Sequence, residues 1–112
     1  MITPYTALLL AAKKVGVSFV LLYSICFVET GLQNIHNYND GHSHSWGLCQ
    51  VKTQTARNLG KVTQWSELLA YKDNDLKDIE KNAFAAAVYL KYQLNRYNSN
   101  ERKAISAYNA LS

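Results

Sequence analysis

Residues 17–28 carry no charged side chain, and the run closes on Glu29. Ser18 stands where a helix N-cap belongs and Gly31 just past the run, where a left-handed C-cap belongs. The longer apolar stretch 15–28 has fourteen residues and includes Ser18, Tyr23 and Ser24. That is short of the ~20 needed to cross a bilayer. A helix apolar on every side belongs in a core. The sequence therefore predicts a buried helix whose last carboxyl, Glu29, emerges into a cleft. Desolvation disfavours a carboxylate and raises its pKa, which a general acid working near neutral pH requires. By position alone, the ordinary alternative is a helix-end carboxylate paired with a nearby Lys or Arg.

At 112 residues the chain is the size of one domain. Its 48% hydrophobic and 18% charged residues exclude a disordered, collagen-like or coiled-coil chain. A net charge of +4 favours polyanionic surroundings such as nucleic acid, anionic cell wall or acidic lipid. Against nucleic acid, Lys13, Lys14, Arg57, Lys61, Lys72, Lys91, Arg96, Arg102 and Lys103 are scattered instead of forming a run. Residues 1–6 supply no side-chain charge ahead of the apolar residues 7–12, so no export signal is read. Membrane insertion is not expected, and a role outside the cytoplasm needs another delivery route. Cys26 and Cys49 form no CxxC pair and no framework, and are expected to be reduced, small apolar residues.

Thr3-Pro4 opens a first helix that Gly16 closes. Residues 33–45, rich in Asn, His, Ser and Gly, read as a loop or short hairpin. Thr53 starts a short helix ended by Gly60, and Ser66 starts another. From 81 to 97, Ala83, Ala87, Leu90, Leu94 and Tyr97 recur at helical spacing, with Phe84 and Val88 widening the stripe. Asn98 and Glu101 have capping-box spacing for a last helix with Ala104, Tyr108 and Leu111 on one face. The segment holding Asp73, Asp75 and Asp78 reads as solvated. His42 and His44 are spaced to share one face of a strand, and His36 or Asp40 could complete three metal ligands. Because Asn and Ser dominate the loop, these residues are read as polar loop positions, with no metal and no cofactor expected.

Three further segments bear on chemistry. In Ser45-Trp46-Gly47-Leu48-Cys49-Gln50, Gly47 suggests a close backbone approach, Trp46 offers a flat face for a sugar, and Gln50 offers both donors and acceptors. In Ala107-Tyr108-Asn109-Ala110 a phenol and an amide stand side by side. Read singly, these are a packed strand with a surface Gln, and a core Tyr beside a helix-end Asn. With Val28-Glu29-Thr30-Gly31-Leu32 before them, and residues 76–82 leading to Ala85-Ala86-Ala87-Val88-Tyr89-Leu90, they stand in a telling order. The set resembles the lysozyme-like superfamily, specifically lytic transglycosylases of the soluble and type IV secretion-associated kind. Those have an apolar helix ending Glu-Ser/Thr-Gly, then Gly-Leu-Met-Gln-Ile, then Ala-Tyr-Asn-Ala.

The resemblance implies a mostly α fold: a lysozyme-like (goose-type lysozyme or lytic transglycosylase) single domain over residues 1–112. A short loop or β-hairpin would separate the catalytic helix from the Gly-Leu-x-Gln segment. It implies that Glu29 alone cleaves the β-1,4 bond between N-acetylmuramic acid and N-acetylglucosamine, leaving 1,6-anhydromuramyl ends. Ser45, Trp46, Gly47, Gln50, Tyr108 and Asn109 would bind glycan, with Tyr108 beside Glu29. The implied partner is peptidoglycan, met by a monomer on the cell wall or in the periplasm, delivered by a phage or a secretion apparatus. Two departures stand out: Cys49 replaces the family's Met, and the chain stops at Ser112, where many relatives continue into another helix. The chain is thus expected to be a small member or the front of a longer protein. The rival readings are a hydrolytic muramidase using Glu29 and Asp40, and an inactive wall-binding or virion module. Animal-type lysozymes carry an Asp where Ser45 stands, and conventional hydrolysis needs two carboxylates.

Overall fold

The computed structural model describes residues 2–40 and 43–111. Helix α1 (Pro4–Val15) begins at Thr3, whose hydroxyl accepts the Thr6 N–H at 3.2 Å, and stops at Gly16, which has φ +85°. Helix α2 (Phe19–Thr30) begins at Ser18, whose hydroxyl accepts the Leu21 N–H, and ends at Gly31. Strands β1 (His36–Asp40) and β2 (Ser43–Trp46) form an antiparallel hairpin with His36 opposite Trp46, Asn37 opposite Ser45, and an irregularity between Asn37 and Asp40. Then come α3 (Thr53–Val62), a 3-10 turn (Ser66–Ala70), α4 (Asp73–Leu76), α5 (Ile79–Arg96) and α6 (Glu101–Leu111).

Helix α5 is the axis of the core. Every residue from 82 to 90 is buried, and α1, α3, α4 and α6 pack around it. Small side chains at Ala83, Ala85, Ala86 and Ala87 let those neighbours approach closely, while Leu8, Leu22 and Leu90 fill the space between them. Each such leucine contributes roughly 1.5–3 kcal/mol on burial. The expected mostly α domain with an intervening hairpin is the architecture observed.

Four local expectations change. Helix α2 buries only Leu22, Ile25 and Cys26, and leaves Val20, Phe27 and Val28 exposed, so an apolar surround did not bury every face. Gly60 does not end α3, which runs on to Val62. A β-carbon at Gly60 would lie 2.6 Å from the Leu69 backbone nitrogen, so the glycine serves a close helix–turn contact. The cap of α6 is Asn100, whose side chain accepts the Lys103 N–H at 3.1 Å, whereas Asn98 and Ser99 form a left-handed turn. The acidic segment is not simply solvated. Asp75 accepts from the Lys72 N–H and from Lys81, and Asp78 caps α5 through the Lys81 N–H.

Candidate active site

The turn after β2 is the hub. Trp46 and Val51 exchange two backbone hydrogen bonds at 3.0 Å, which folds residues 47–50 into a tight loop. Gly47 has φ +72°, and a β-carbon there would lie 2.5 Å from the Leu76 carbonyl oxygen and 2.6 Å from the Asn82 side-chain nitrogen. Only glycine meets both demands. Gln50, also at positive φ, is 4% exposed and donates its Nε2 to the Gly47 and Ile35 carbonyls.

Three elements converge on this turn. From α5, the fully buried Asn82 accepts the Cys49 N–H at 2.9 Å and donates to the Trp46 and Leu76 carbonyls, both at 2.8 Å. From α6, the buried Tyr108 hydroxyl donates to the Cys49 carbonyl at 3.0 Å. From α2, the Thr30 hydroxyl donates to the Leu48 carbonyl at 2.7 Å, and Cys26 is disulfide-bonded to Cys49. That bond corrects the expectation of reduced cysteines. Cys26 sits on the inner face of α2 and Cys49 in the buried turn, with Cα atoms 4.4 Å apart. Absence of a CxxC pair speaks to metal sites, not to a bridge between segments 23 residues apart.

Glu29, half-buried in the last turn of α2, is close enough to Tyr108 to act on it electrically. Burial pushes the Tyr108 phenol well above its ordinary pKa, and the Glu29 charge and then Tyr89 add to the shift. Among the other expected residues, Ser45 is fully buried in β2, Trp46 is mostly buried with His36 stacked on its ring at 3.6 Å, and Asn109 is exposed on α6. The sequence resemblance matched Asn82 to the family's Asn and Thr30 to its Glu-Ser/Thr-Gly motif but gave neither a task, and the clamping role of both, like the cysteine bridge, appears only here. The available signal was their spacing, since Thr30 follows Glu29 and Cys49 precedes Gln50.

On the hairpin, His36 Nε2 and His44 Nδ1 lie 2.8 Å apart, so one donates to the other. Desolvation, then His44 and Lys77, hold the His36 pKa below its ordinary value, against a weaker opposite pull from Asp73. No group of three or more His, Cys, Asp or Glu among the described residues is placed to hold a metal. His42 and the Asp40 side chain lie outside the described residues. A groove of about 490 Å³ lined by Lys14, Glu67, Asp75, Glu80 and Phe84, among others, does not include Glu29, and two ion pairs, Lys14–Glu67 and Lys81–Asp75, lie along it.

A family model for the transglycosylase SLT domain matches residues 7–111. No curated protein and no solved structure matches the chain. The family match spans α1 through α6 and takes in Glu29, the turn at 47–50 and Tyr108. The chain therefore belongs to the transglycosylase SLT domain family, the lytic transglycosylases that act on peptidoglycan as glycan lyases.

Proposed function

We propose that this single domain cleaves the N-acetylmuramic acid–N-acetylglucosamine bond with Glu29 as its one acid and base. Glu29 donates its proton to the glycosidic oxygen, the bond to the muramyl anomeric carbon breaks, and the N-acetylglucosamine end leaves as an alcohol. The sugar's own N-acetyl oxygen shelters the cationic carbon. The Glu29 carboxylate then takes the proton of the muramyl C6 hydroxyl, whose oxygen closes the 1,6-anhydro ring. One proton is given and one recovered, so no water is consumed.

The observation that carries this reading is the convergence on Cys49 of the Glu29 helix, the Gln50 turn and Tyr108. Three sequence motifs far apart in the chain thereby meet in one place. Because the Tyr108 proton is committed to the Cys49 carbonyl, its task is to fix α6 beside Glu29. Exposed Asn109 is left for sugar polar groups, while buried Ser45, Trp46, Gly47 and Gln50 shape the wall beneath. Ser45 cannot act as a second carboxylate, which favours ring closure over hydrolysis.

The reading extends to place. No helix among the described residues is long and apolar enough to cross a membrane. A disulfide persists outside the reducing cytoplasm, which supports action on the wall or in the periplasm after delivery by a phage or secretion apparatus. The test is a pair of substitutions assayed on purified sacculi. Glu29→Gln should lower turnover on the order of 10²–10⁴-fold with the thermal midpoint unchanged or raised, and Asp40→Asn should cost little. A Glu29→Gln chain near wild-type turnover ends the single-acid reading, and an equal collapse with Asp40→Asn turns it to hydrolysis.

A further inference from the structure

A second groove, of about 490 Å³, opens between α3 and the second half of α5. Its floor is Leu59, Tyr89 and Gln93, each at most 3% exposed, and Asn58, Lys61 and Arg96 stand exposed along it. Unlike the groove at Lys14, it is lined by no Asp or Glu among the described residues, and neither Lys61 nor Arg96 has an ion-pair partner among them. The Gln93 amide oxygen has no hydrogen-bond partner there either, whereas buried acceptors are ordinarily paired. The groove adjoins the Glu29 site through Tyr89. That ring lies 4.8 Å from the ring of Tyr108, and its hydroxyl donates to the Ala107 carbonyl at 3.4 Å. The other wall, α3, begins at Thr53, just after the Gln50 turn.

We propose that this groove binds the acidic peptide stem of the peptidoglycan strand, with Lys61 and Arg96 holding its carboxylates. The proposal rests on the reading of Glu29 as the acid, which puts the muramyl sugar near Tyr108. The stem hangs from that sugar, so it leaves the cleft on the side of a neighbouring groove. Charge selects the occupant. The N-acetyl sugar rings are neutral, whereas the stem carries free carboxylates. Two cations with no acid beside them attract a carboxylate and repel an ammonium. The planar Arg96 guanidinium can take a carboxylate through two parallel hydrogen bonds, and Lys61 adds a point charge. The apolar floor suits the methyl side chains of alanines. A peptide N–H lying along it supplies the donor that Gln93 lacks, once that side chain turns toward the groove. Contacts so far from the reacting bond act equally in ground state and transition state, so they set KM and leave kcat alone.

The test compares the full chain with the double variant Lys61→Gln, Arg96→Gln, whose side chains are exposed and whose thermal midpoint should not move. Three substrates are used: glycan strands bearing stems, the same strands stripped of stems by an amidase, and strands whose stem carboxylates are converted to methylamides. The isolated acidic stem peptide is also titrated into each chain and followed by amide chemical shifts. Exposed charge contacts each change binding only a few-fold, so on stem-bearing strands the double variant should raise KM about tenfold, with kcat within about twofold. On stripped strands the two chains should agree within about twofold. Methylamide stems should raise the wild-type KM as much as the double variant does. The free stem should shift amides at 58–62 and 92–96, and should bind the variant more weakly. An equal loss on stripped strands, no loss on any strand, or shifts confined to other residues overturns the proposal. If the wild-type chain releases no fragments from any strand, the Glu29 reading fails instead, and the stem titration alone decides whether the groove takes the peptide.

Discussion

The Asn82 side-chain nitrogen lies 2.6 Å from where a β-carbon on Gly47 would sit, so the amide from α5 fills the space that the glycine leaves. The same amide holds the backbone on both sides of that glycine, through the Trp46 carbonyl and the Cys49 N–H. Position 47 is therefore constrained by its positive φ and by a neighbour that cannot withdraw without breaking hydrogen bonds.

Gly47→Ala should be severe. It adds left-handed strain to a clash with the Leu76 carbonyl, which is backbone and cannot rotate away. The expected loss is on the order of 3 kcal/mol, read as a fall of roughly 10 °C or more in thermal midpoint. A variant with unchanged midpoint would show that the turn can relax where the packing says it cannot.

Asn82→Leu tests the clamp from the other side. It leaves the Cys49 N–H and the Trp46 and Leu76 carbonyls without this partner in a buried place. The Trp46 carbonyl keeps the Val51 N–H, so the stranded groups are the Cys49 N–H and the Leu76 carbonyl. Such groups cost about 1–3 kcal/mol each, so a urea titration should show a loss of about 2 kcal/mol or more. A leucine tolerated within about 0.5 kcal/mol would mean that the turn is held elsewhere.

Much of this architecture was legible because it rests on local chemistry. Thr3-Pro4, Ser18, Gly16 and Gly31 act within one helical turn of themselves, and each cap stands where the sequence puts it. The alanine-rich stripe of α5 likewise needs no knowledge of its partners. Gly60 was misread because its meaning comes from Leu69, which packs on it from the next element. Asn98 yielded to Asn100 because the chain spends two residues in a left-handed turn before the helix. The disulfide was invisible for a related reason, since pairing depends on the distance between α2 and the turn, which spacing along the chain does not give. For the site, the order of the motifs pointed to one place, but the interior hydrogen bonds of Gln50 and Tyr108 appear only in three dimensions.

The histidine pair predicts an acid-sensitive hairpin. His36 is held below its ordinary value of 6.5, so below about pH 6.5 the unfolded chain binds more protons at this site than the folded one. Stability supplied here is complete above the unfolded pKa, falls as pH drops toward the folded pKa, and stays lost below it. Trp46 fluorescence and exchange at residues 36–46 should report loosening below pH 6.5, weakened in His36→Gln. A hairpin equally firm at pH 5 and pH 7.5 would contradict this.

The product of cleavage tests the central claim most directly. If Glu29 gives and then recovers one proton while the C6 hydroxyl closes the ring, each new muramyl end is an anhydro sugar, one water lighter than a hydrolytic end. Muropeptides released from purified sacculi in water labelled with heavy oxygen should carry no label at the cleaved end and should resist borohydride reduction. Ends that are reducible and labelled would contradict the account and make Asp40 the first residue to examine.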